Sequence, residues 1–330
     1  MVKYQMDLSK KRILVTGAAG FIGSNIVSNL LRSDCEVIGL DNFFNSRLET
    51  IKDFLKNPNF TLIKSDIRDY HHLRKILQDV DIIFHQAALG SVPRSIEAPL
   101  STHEVNITGT LNLLMIANDI NVERFLFASS SSVYGEIETL PKIENLPLHP
   151  ISPYGTSKLA AENYVYSFYK VYGLKTVSLR YFNVYGPNQI ASPYSGVISI
   201  FISNVLKNQS PIIYGDGTQT RDFTYVQDVV DANILAATKA NAVGQVFNIA
   251  FGTQTSVLEL AQLVLKLVNK INLKIQYQPT RPGDILHSYA DISHAKKLLN
   301  YSPKFTLQNG LNETIKWFQQ QGINEFNNIV

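Results

Sequence analysis

Residues 16–23 read Thr-Gly-Ala-Ala-Gly-Phe-Ile-Gly, and they are the strongest indication of the fold in this sequence. It follows a short apolar run, Arg12–Val15, and opens an amphipathic segment, as expected where a buried strand turns into a helix. Glycines at these spacings permit a tight turn, a close approach of the backbone to a pyrophosphate, and tight packing of helix on strand. The stretch therefore predicts a dinucleotide-binding turn. Its candidate cofactor-binding residues are Gly17, Gly20, Phe21, Ile22 and Gly23.

The same alternation of short β-branched runs and longer amphipathic segments continues through the first half of the chain. Buried strands connected by helices form right-handed crossovers and require a parallel sheet covered on both faces. The sequence thus predicts a doubly wound α/β fold. The predicted strands are Arg12–Val15, Glu36–Leu40, Thr61–Lys64, Asp81–His85 and Arg124–Ala128, and the predicted helices are near 21–32, 46–56, 69–78 and 97–118.

A further predicted helix, Pro153–Tyr172, and a sixth strand, Thr176–Leu179, end this regular alternation. From residue 181 the chain is rich in Pro, Gly, Asn and Ser, while Val246–Ala250 again resembles a buried strand. We expect a nucleotide-binding domain at residues 1–180 plus about 221–250. Residues of about 181–220 plus 251–330 are predicted to form a smaller substrate-binding α/β lobe.

Composition narrows the class of protein. The chain has 330 residues, 45% of them hydrophobic and 17% charged, with a formal net charge of +3 spread along the sequence. Neither a nucleic-acid footprint nor an apolar run long enough to cross a membrane is evident, so a small-molecule partner is expected. The single cysteine, Cys35, and an N-terminus without an apolar signal segment favour the cytoplasm. The seven histidines show no spacing typical of metal ligands, so no metal is predicted.

An acidic residue, Asp41, ends the second predicted strand, about 20 residues after the glycine turn. A carboxylate at this position accepts hydrogen bonds from a ribose diol and repels a 2′-phosphate, which favours NAD over NADP as the cofactor. Asp66 and Ile67 follow the third strand, and Ala87 follows the fourth. These three residues either contact the cofactor or are ordinary strand-end residues.

Residues 154–158 read Tyr-Gly-Thr-Ser-Lys, which places a phenol and an ammonium group on one face of a helix. Ionising a free tyrosine at neutral pH costs about 4 kcal/mol, and a nearby cation supplies part of that stabilisation. A run of serines, Ser129–Ser132, follows the fifth strand at the sheet edge where ligands of such folds bind. Together these residues predict a proton-transfer site.

These motifs together resemble the extended short-chain dehydrogenase/reductases. The resemblance rests on the glycine turn, Asp41 with Asn42, the serine run before Val133-Tyr134-Gly135, the Tyr154/Lys158 pair, and 179–183 (Leu-Arg-Tyr-Phe-Asn). Within that group the chain is similar to nucleotide-sugar 4-epimerases, most closely the bacterial ones acting on UDP-N-acetylglucosamine. The segments 89–95 (Leu-Gly-Ser-Val-Pro-Arg-Ser) and 283–288 (Gly-Asp-Ile-Leu-His-Ser) carry this closer similarity.

The resemblance implies a role for each matching residue. Tyr154 would be the base and would contact both the cofactor and the substrate. Lys158 would be its electrostatic partner and a ribose ligand, and Ser130 the hydroxyl between substrate and base. Asn42 would bind the cofactor, and Ser131 would lie beside the sugar. The implied diphosphate contacts are Asn183, Arg221 and Arg281, and further implied substrate contacts are Ser91, Arg94, Val197, Tyr214 and Ser288.

The implied reaction is NAD-dependent 4-epimerisation of UDP-N-acetylglucosamine, with UDP-glucose and UDP-galactose as further substrates. Ser288 aligns with a gate position where a small residue leaves room for an acetamido group. A uronic acid 4-epimerase is an alternative, because Ala128–Gly135 also resembles glucuronate 4-epimerases. Arg94 would then either pair with a carboxylate or anchor its own loop. Dehydratases and decarboxylases place an acid where this chain has Ser131 and Ser132, which disfavours those reactions.

A non-catalytic sensor of NAD or nucleotide sugar is the alternative from another class of protein, since fold alone does not imply catalysis. The intact set of Ser130, Tyr154 and Lys158 argues against it. The resemblance also implies a homodimer in which the helices near 97–118 and 153–172 pair across a two-fold axis. Their apolar faces would equally suit packing on the sheet.

Overall fold

Seven parallel strands form the central sheet of this computed structural model, which describes residues 6–192, 195–280 and 285–321. Their order across the sheet is β11-β6-β5-β4-β1-β2-β3, so the predicted doubly wound fold is confirmed. The strands are β1 (Arg12–Thr16), β2 (Glu36–Asp41), β3 (Phe60–Lys64), β4 (Ile82–His85), β5 (Arg124–Ser130), β6 (Thr176–Tyr181) and β11 (Val246–Ile249).

The central strands are buried on both faces, which explains their near-continuous apolar sequences. Alternate residues of β5 enter two different cores: Leu126 and Ala128 pack on one side of the sheet, Phe125 and Phe127 on the other. The chain leaves β1 toward β2 on one side and later returns to β4 on the other. Ligands of open parallel sheets bind at such a switch point.

Helices cover both faces of this sheet. Most predicted helices are present, with ends shifted by a few residues. The helices before residue 173 are α1 (Phe21–Leu30), α2 (Tyr70–Ile76), α3 (Val92–Glu97), α4 (Pro99–His103), α5 (Gly109–Asp119) and α6 (Pro153–Ser167).

The predicted crossover helix at 46–56 is wrong. The structure has two short 3-10 turns there, Leu48–Thr50 and Phe54–Lys56. The apolar residues of this segment have helical spacing, but only Ile51 among them is fully buried, while Leu48 and Leu55 are exposed. A helix gains most of its stability by packing an apolar face, and this segment has no such face to bury.

Two of the long helices contain a π-helical turn. Glu104–Thr108 joins α4 to α5, so the helix predicted at 97–118 runs from Pro99 to Asp119 with a wider turn in its middle. A second π turn, Phe168–Tyr172, extends α6 and ends at Gly173, which has a left-handed conformation with φ of 75°. Such turns insert one extra residue and are frequent near functional sites.

The remaining residues form smaller strand pairs and helices. Strand β11 lies beside β6 in the main sheet, which the apolar run at 246–250 predicts. A third core, separate from the two on the main sheet, contains Ile202, Leu260 and Leu311. The division into two lobes stays a prediction. These elements are β7 (Val184–Tyr185), α7 (Val197–Leu206), β8 (Ile212–Tyr214), β9 (Thr220–Arg221), β10 (Thr224–Tyr225), α8 (Val226–Thr238), β12 (Thr255–Ser256), α9 (Val257–Leu267), β13 (Gln276–Gln278), α10 (Ser293–Leu299) and α11 (Leu307–Gln321).

Candidate active site

The glycine turn connects β1 to α1 at the switch point between β1 and β4. Gly17 has φ of +68°, and a Cβ there would lie 2.9 Å from the backbone nitrogen of Ala87. A Cβ on Gly23 would overlap the carbonyl oxygen of Gly17. Gly17 is therefore required for its positive φ and for the close approach of Ala87, just after β4. Gly23 is required because α1 packs directly on the carbonyl of Gly17.

The N-terminus of α1 opens into the cavity at this turn. Its N-cap, Gly20, has no side chain that could accept hydrogen bonds from the amides of the first turn. Phe21 and Ile22 begin the helix and line the cavity. Amides and dipole at a helix N-terminus favour an anion, and a pyrophosphate fits the space that the glycines leave open.

Asp41 lies at the end of β2 with its side chain nearly buried. One carboxylate oxygen accepts a hydrogen bond from Ala19 N at 2.9 Å, while the other accepts bonds from Phe43 N at 2.8 Å and Ser46 Oγ at 2.7 Å. The carboxylate is thus fixed in place beside the cavity. It fits the predicted ribose-binding role, and it connects the glycine turn to the loop after β2.

The loops after β2 and β3 meet at a second carboxylate. Asn42 Nδ2 donates to Asp66 Oδ2 at 2.8 Å, and Arg68 binds the same carboxylate at 2.9 Å. These contacts, Arg68 first, lower the pKa of Asp66 to about 2. Ile67 is buried, although it borders the cavity. Asn42, Asp66, Ile67 and Ala87 all line the cavity, so their predicted cofactor contacts are compatible with their positions.

Tyr154 is positioned by the first turn of α6. Ser152 caps this helix by accepting a hydrogen bond from Gly155 N at 3.1 Å, and Pro153 occupies the first helical position. The backbone nitrogen of Tyr154 donates to Ser95 Oγ at 3.0 Å. Burial raises the pKa of the Tyr154 phenol, and its hydrogen bond with Ser130 opposes that rise. The predicted base and the predicted bridging hydroxyl are therefore in contact.

Lys158 is buried behind Tyr154. Its ammonium group donates to the carbonyl oxygen of Ala128 at 2.8 Å and lies 5.1 Å from the centre of the Phe127 ring. Burial lowers the pKa of Lys158 to about 7. Negative charge placed nearby would restore the protonated form, so the lysine and an ionised phenol would stabilise each other.

A chain of buried hydrogen bonds connects the glycine turn with the helix of Tyr154. His85 contacts Thr16 Oγ1 through Nδ1 and Thr110 Oγ1 through Nε2, both at 2.8 Å. Thr110 donates to the carbonyl of Asn106 at 2.6 Å, and Asn106 donates to Ser157 Oγ at 2.9 Å. Burial, and secondarily the charge of Lys158, lower the pKa of His85 to about 3. The imidazole is therefore neutral, and sequence reasoning had assigned it no place in this network.

A cavity of about 480 Å³ unites the cofactor and proton-transfer residues. Its lining includes all the predicted cofactor-binding residues. Ser91, Arg94 and Tyr154 line it as well, and Arg94 lies 5.7 Å from the ring of Phe44 across it. Tyr181, which lies in the quoted segment 179–183, lines the cavity too, although no role was predicted for it. Sequence reasoning missed further lining residues that belong to no motif. These include Phe44, Asn45, Ser46, Ser65, Gln86, Asn188 and Gln189.

Other predicted substrate contacts do not line this cavity. Arg221 and Ser288 come together elsewhere: the Arg221 guanidinium donates to Thr220 O at 2.8 Å and Leu286 O at 3.3 Å, while Ser288 N donates to Thr220 O at 3.1 Å. Their backbones meet because β9 bridges His287. The cavity lining likewise leaves out Ser130, Ser131, Asn183, Val197 and Tyr214, and Arg281 lies outside the described residues. The substrate roles of all these residues stay predictions.

The described ranges, 6–192, 195–280 and 285–321, contain neither a candidate metal site nor a candidate membrane span. No group of three or more His, Cys, Asp or Glu side chains in them could hold a metal ion. No helix in them is long and apolar enough to cross a membrane.

A glycine turn at the switch point of a doubly wound sheet, with a Tyr/Lys pair beside a serine-rich strand end, defines the extended short-chain dehydrogenase/reductases. The family described as GDP-mannose 4,6 dehydratase matches residues 14–314. The chain belongs to this family, so the predicted resemblance is confirmed at that level.

Several relatives are named as UDP-sugar 4-epimerases. A putative UDP-glucose 4-epimerase of Methanocaldococcus jannaschii is 41% identical over 309 residues, covering 93% of this chain and 98% of that protein. A solved UDP-N-acetylglucosamine 4-epimerase from Methanobrevibacter ruminantium M1, in complex with UDP-N-acetylmuramic acid, is 40% identical with a TM-score of 0.90. It covers 95% of this chain and 100% of its own.

A third relative carries the cofactor. The structure of UDP-glucuronic acid 4-epimerase from Bacillus cereus contains UDP-glucuronic acid and NAD, and it is 36% identical with a TM-score of 0.88. It covers 94% of this chain and 100% of its own. Structural neighbours in this family are thus solved with NAD bound, the cofactor that Asp41 and the glycine turn predict.

Proposed function

We propose that this protein is an NAD-dependent UDP-hexose 4-epimerase whose preferred pair is UDP-N-acetylglucosamine and UDP-N-acetylgalactosamine. The observation that carries the proposal is the contact of Tyr154 with Ser130 beside the buried Lys158, at the wall of a cavity suited to NAD. The named 4-epimerases among its relatives support the reaction, and one of them supports the N-acetylated substrate.

The cofactor site fits NAD by its own chemistry. The uncapped amides at the start of α1 would bind the pyrophosphate, Asp41 the adenosine ribose, and Lys158 the other ribose. When bound, NAD accepts a hydride from carbon 4 of the sugar and returns it to the opposite face.

The protein residues supply the proton transfer. The Tyr154 phenolate takes the proton from the hydroxyl on carbon 4, and the phenol returns it when the keto sugar is reduced. Ser130 donates a hydrogen bond to the reacting oxygen, and the Lys158 ammonium stabilises the phenolate. Between the two transfers the sugar turns over while a diphosphate clamp holds the nucleotide. We assign that clamp to Asn183, Arg221 and Arg281.

The serine run favours epimerisation over elimination or decarboxylation. Ser131 and Ser132 form a half-buried 3-10 turn directly after β5. Neither side chain can act as the additional acid or base that loss of water from the sugar ring requires. Reduction of the keto sugar is therefore favoured over loss of water.

One observation favours a second candidate, a UDP-glucuronic acid 4-epimerase. The guanidinium of Arg94 lines the cavity, where it could bind a sugar carboxylate in two-point fashion. Its contact with the Phe44 ring supports the other role, an anchor between two loops. An assay with UDP-glucuronic acid as the substrate distinguishes these two roles of Arg94.

Incubation of the NAD-loaded protein with a panel of UDP-hexoses tests the proposal. Chromatographic separation of the stereoisomers should show interconversion of the N-acetylated pair, slower interconversion of UDP-glucose and UDP-galactose, and little change of UDP-glucuronic acid. Fast conversion of UDP-glucuronic acid would establish the second candidate. A 4-keto-6-deoxy sugar or a pentose in the product, identified by NMR, would contradict both.

We also propose that the protein is a homodimer. Exposed apolar side chains lie on the helices near 97–118 and 153–172, as two-fold pairing of these helices would require. Sedimentation of the parent chain and of a Val171→Asp variant tests this assignment: a dimer that becomes a monomer is expected, and a monomeric parent chain would contradict it. The side chains are Leu100, Met115, Tyr164, Tyr166, Val171 and Tyr172.

A further inference from the structure

A buried ion pair lies directly behind the proton-transfer site. Arg180 Nη2 is 2.5 Å from Glu162 Oε1, and the two side chains are 4% and 5% exposed. Glu162 is two helical turns beyond Tyr154 and one beyond Lys158 on α6. Arg180 lies on β6, directly opposite Ser129 of β5. The reaction proposed above assigns no step to either charge.

Both oxygens of the Glu162 carboxylate are used. Oε2 accepts a hydrogen bond from Ser129 Oγ at 2.5 Å and another from Arg180 Nε at 3.1 Å. The rest of the guanidinium donates to Tyr134 OH at 2.9 Å and to the carbonyl of Glu144 at 3.0 Å. Because every polar group is satisfied, the pair can persist in the core despite the cost of its desolvation.

Successive residues of β5 each bind α6. The carbonyl of Ala128 accepts from Lys158, the hydroxyl of Ser129 donates to Glu162, and Ser130 bonds to the phenol of Tyr154. Of these three contacts, the first and the last use groups that the reaction itself needs. The contact of Ser129 with Glu162 does not, so it can remain intact throughout a catalytic cycle.

The network also reaches the turn that carries Ser131. Tyr134 follows this turn, and its hydroxyl accepts from Arg180 and donates to Asn248 Oδ1 at 2.7 Å on β11. A well-packed apolar pair in place of the two charges would be equally stable or more stable. What an apolar pair cannot supply is a directional attachment of the strand end to the helix.

We propose that Glu162 is a positioning residue of the proton-transfer site, whose carboxylate, oriented by Arg180, attaches the strand end carrying Ser130 to the helix carrying Tyr154 and Lys158. The inference rests on the proposed function, because it assumes that these three residues transfer the proton. Displacements of about 1 Å among reacting groups can slow a reaction by about a hundredfold, so such an attachment affects turnover directly.

Ser129→Ala is the main test, because it releases the strand from Glu162 and leaves the ion pair intact. We expect kcat to fall about tenfold, equivalent to 1.4 kcal/mol, with KM and NAD content within about twofold of the parent. Glu162→Gln should lower kcat about a hundredfold. The double variant should be no slower than Glu162→Gln, because both changes remove one attachment.

Thr176→Val is the matched control. Thr176 Oγ1 likewise connects a strand to α6, by donating to the carbonyl of Val165 at 3.0 Å. This contact lies eleven residues beyond Tyr154 on the helix, away from the proton-transfer residues. This variant should lose similar thermal stability and keep its kcat. If Ser129→Ala turned over within twofold of the parent, or if the control were slowed equally, the positioning role would be wrong.

A spectroscopic readout keeps the test independent of turnover. Ultraviolet absorbance is titrated against pH for a protein and for the same protein carrying Tyr154→Phe. The difference between the two curves reports the ionisation of Tyr154. In the Ser129→Ala background this ionisation should move to higher pH, because Ser130 and Lys158 support the phenolate less well; an unchanged titration would overturn the proposal. A parent chain that converts no UDP-sugar would refute the proposed function alone, since this titration would still decide the role of Glu162.

Discussion

The cofactor half of the site and its proposed substrate half, the segments of Arg221 and Ser288, are built differently. The cofactor residues follow strands of four to six residues in one parallel sheet, such as Arg12–Thr16 and Glu36–Asp41, and their side chains already converge on one cavity. Arg221 instead ends a two-residue strand, and a single backbone bridge connects its neighbour Thr220 to His287.

In the substrate half, a buried carboxylate and not a large sheet holds the backbone segments together. Asp222 is fully buried and accepts hydrogen bonds from Phe251 N, Gly252 N and Ala290 N at 3.0 to 3.3 Å. It thereby joins the segment of Arg221 to the segment of Ser288. If these short segments bind the sugar, as proposed, small changes in them would alter which sugar fits and leave the sheet that holds the cofactor residues intact. The two halves should therefore respond differently to substitution.

Tyr154→Phe should have the largest effect, because it removes the proton acceptor on which both halves depend. We expect kcat for UDP-N-acetylglucosamine to fall by about 10²- to 10⁴-fold, with bound NAD unchanged. Chromatography of the sugar products and release of the cofactor by denaturation measure the two quantities. Tyr164→Phe, an exposed tyrosine on the same helix, is the control. Turnover near the parent value would disprove the assignment of the base.

Ser288→Tyr should separate the substrates and leave the cofactor half intact. A bulky side chain at the gate should reduce kcat/KM for the N-acetylated pair by about 10- to 200-fold, with UDP-glucose affected much less. Ser288→Ala keeps the space and should retain both activities. Equal losses for both sugar pairs would show that Ser288 does not control access of the acetamido group.

Asp41→Asn should affect the cofactor half alone. A hydrogen bond to a charged group contributes about 1.5 to 3 kcal/mol, so the Kd for NAD should rise at least about tenfold. Calorimetric titration of the NAD-free protein measures this, and kcat at saturating NAD should change little. Asp53→Asn, at an exposed carboxylate paired with Lys56, is the matched control. An unchanged Kd would mean that Asp41 supports the loop instead of the ribose.

Lys158→Met should lower the activity and raise the free energy of unfolding. The gain in stability should depend on pH. The pKa of Lys158, about 7, lies below its ordinary value, so the buried charge destabilises the fold most below pH 7. The native lysine loses its proton above that pH, and the penalty shrinks as pH rises toward the ordinary value. The variant should gain about 1 to 4 kcal/mol at about pH 6 and progressively less toward about pH 10. Thermal unfolding of NAD-free protein measures this gain, and a gain that grew with pH would contradict the direction of the pKa change.

The sequence predicts which residues of the cofactor half border the cavity, because their signals are local. Glycine conformation, an acid at a strand end and apolar periodicity are all properties of short segments, and the structure places Gly17 and Asp41 where these signals predict. The crossover at 46–56 fails for a tertiary reason, since helical spacing does not reveal that Leu48 and Leu55 stay exposed and that Ile51 alone is fully buried.

The substrate half and the supporting networks depend on contacts between distant residues. Arg221 and Ser288 come together through backbone hydrogen bonds, which leave no pattern in the side chains. Asn106 reaches the site through a π turn, which no helical periodicity indicates. Glu162 gives one weak signal, its spacing of four residues from Lys158, but its partner Arg180 is identified only by the pairing of β5 with β6.

The π turn at Glu104–Thr108 constrains how this gene can change in length. Because such a turn holds one extra residue without changing the phase of the helix that follows, deleting one residue from it would restore an ordinary helical ladder and leave the same face of Gly109–Asp119 toward the core. Ile116 would stay buried and Met115 exposed, whereas a deletion within Gly109–Asp119 would rotate the residues beyond it by about 100°. Single-residue changes in length should consequently be tolerated at this turn and excluded from the regular helix after it.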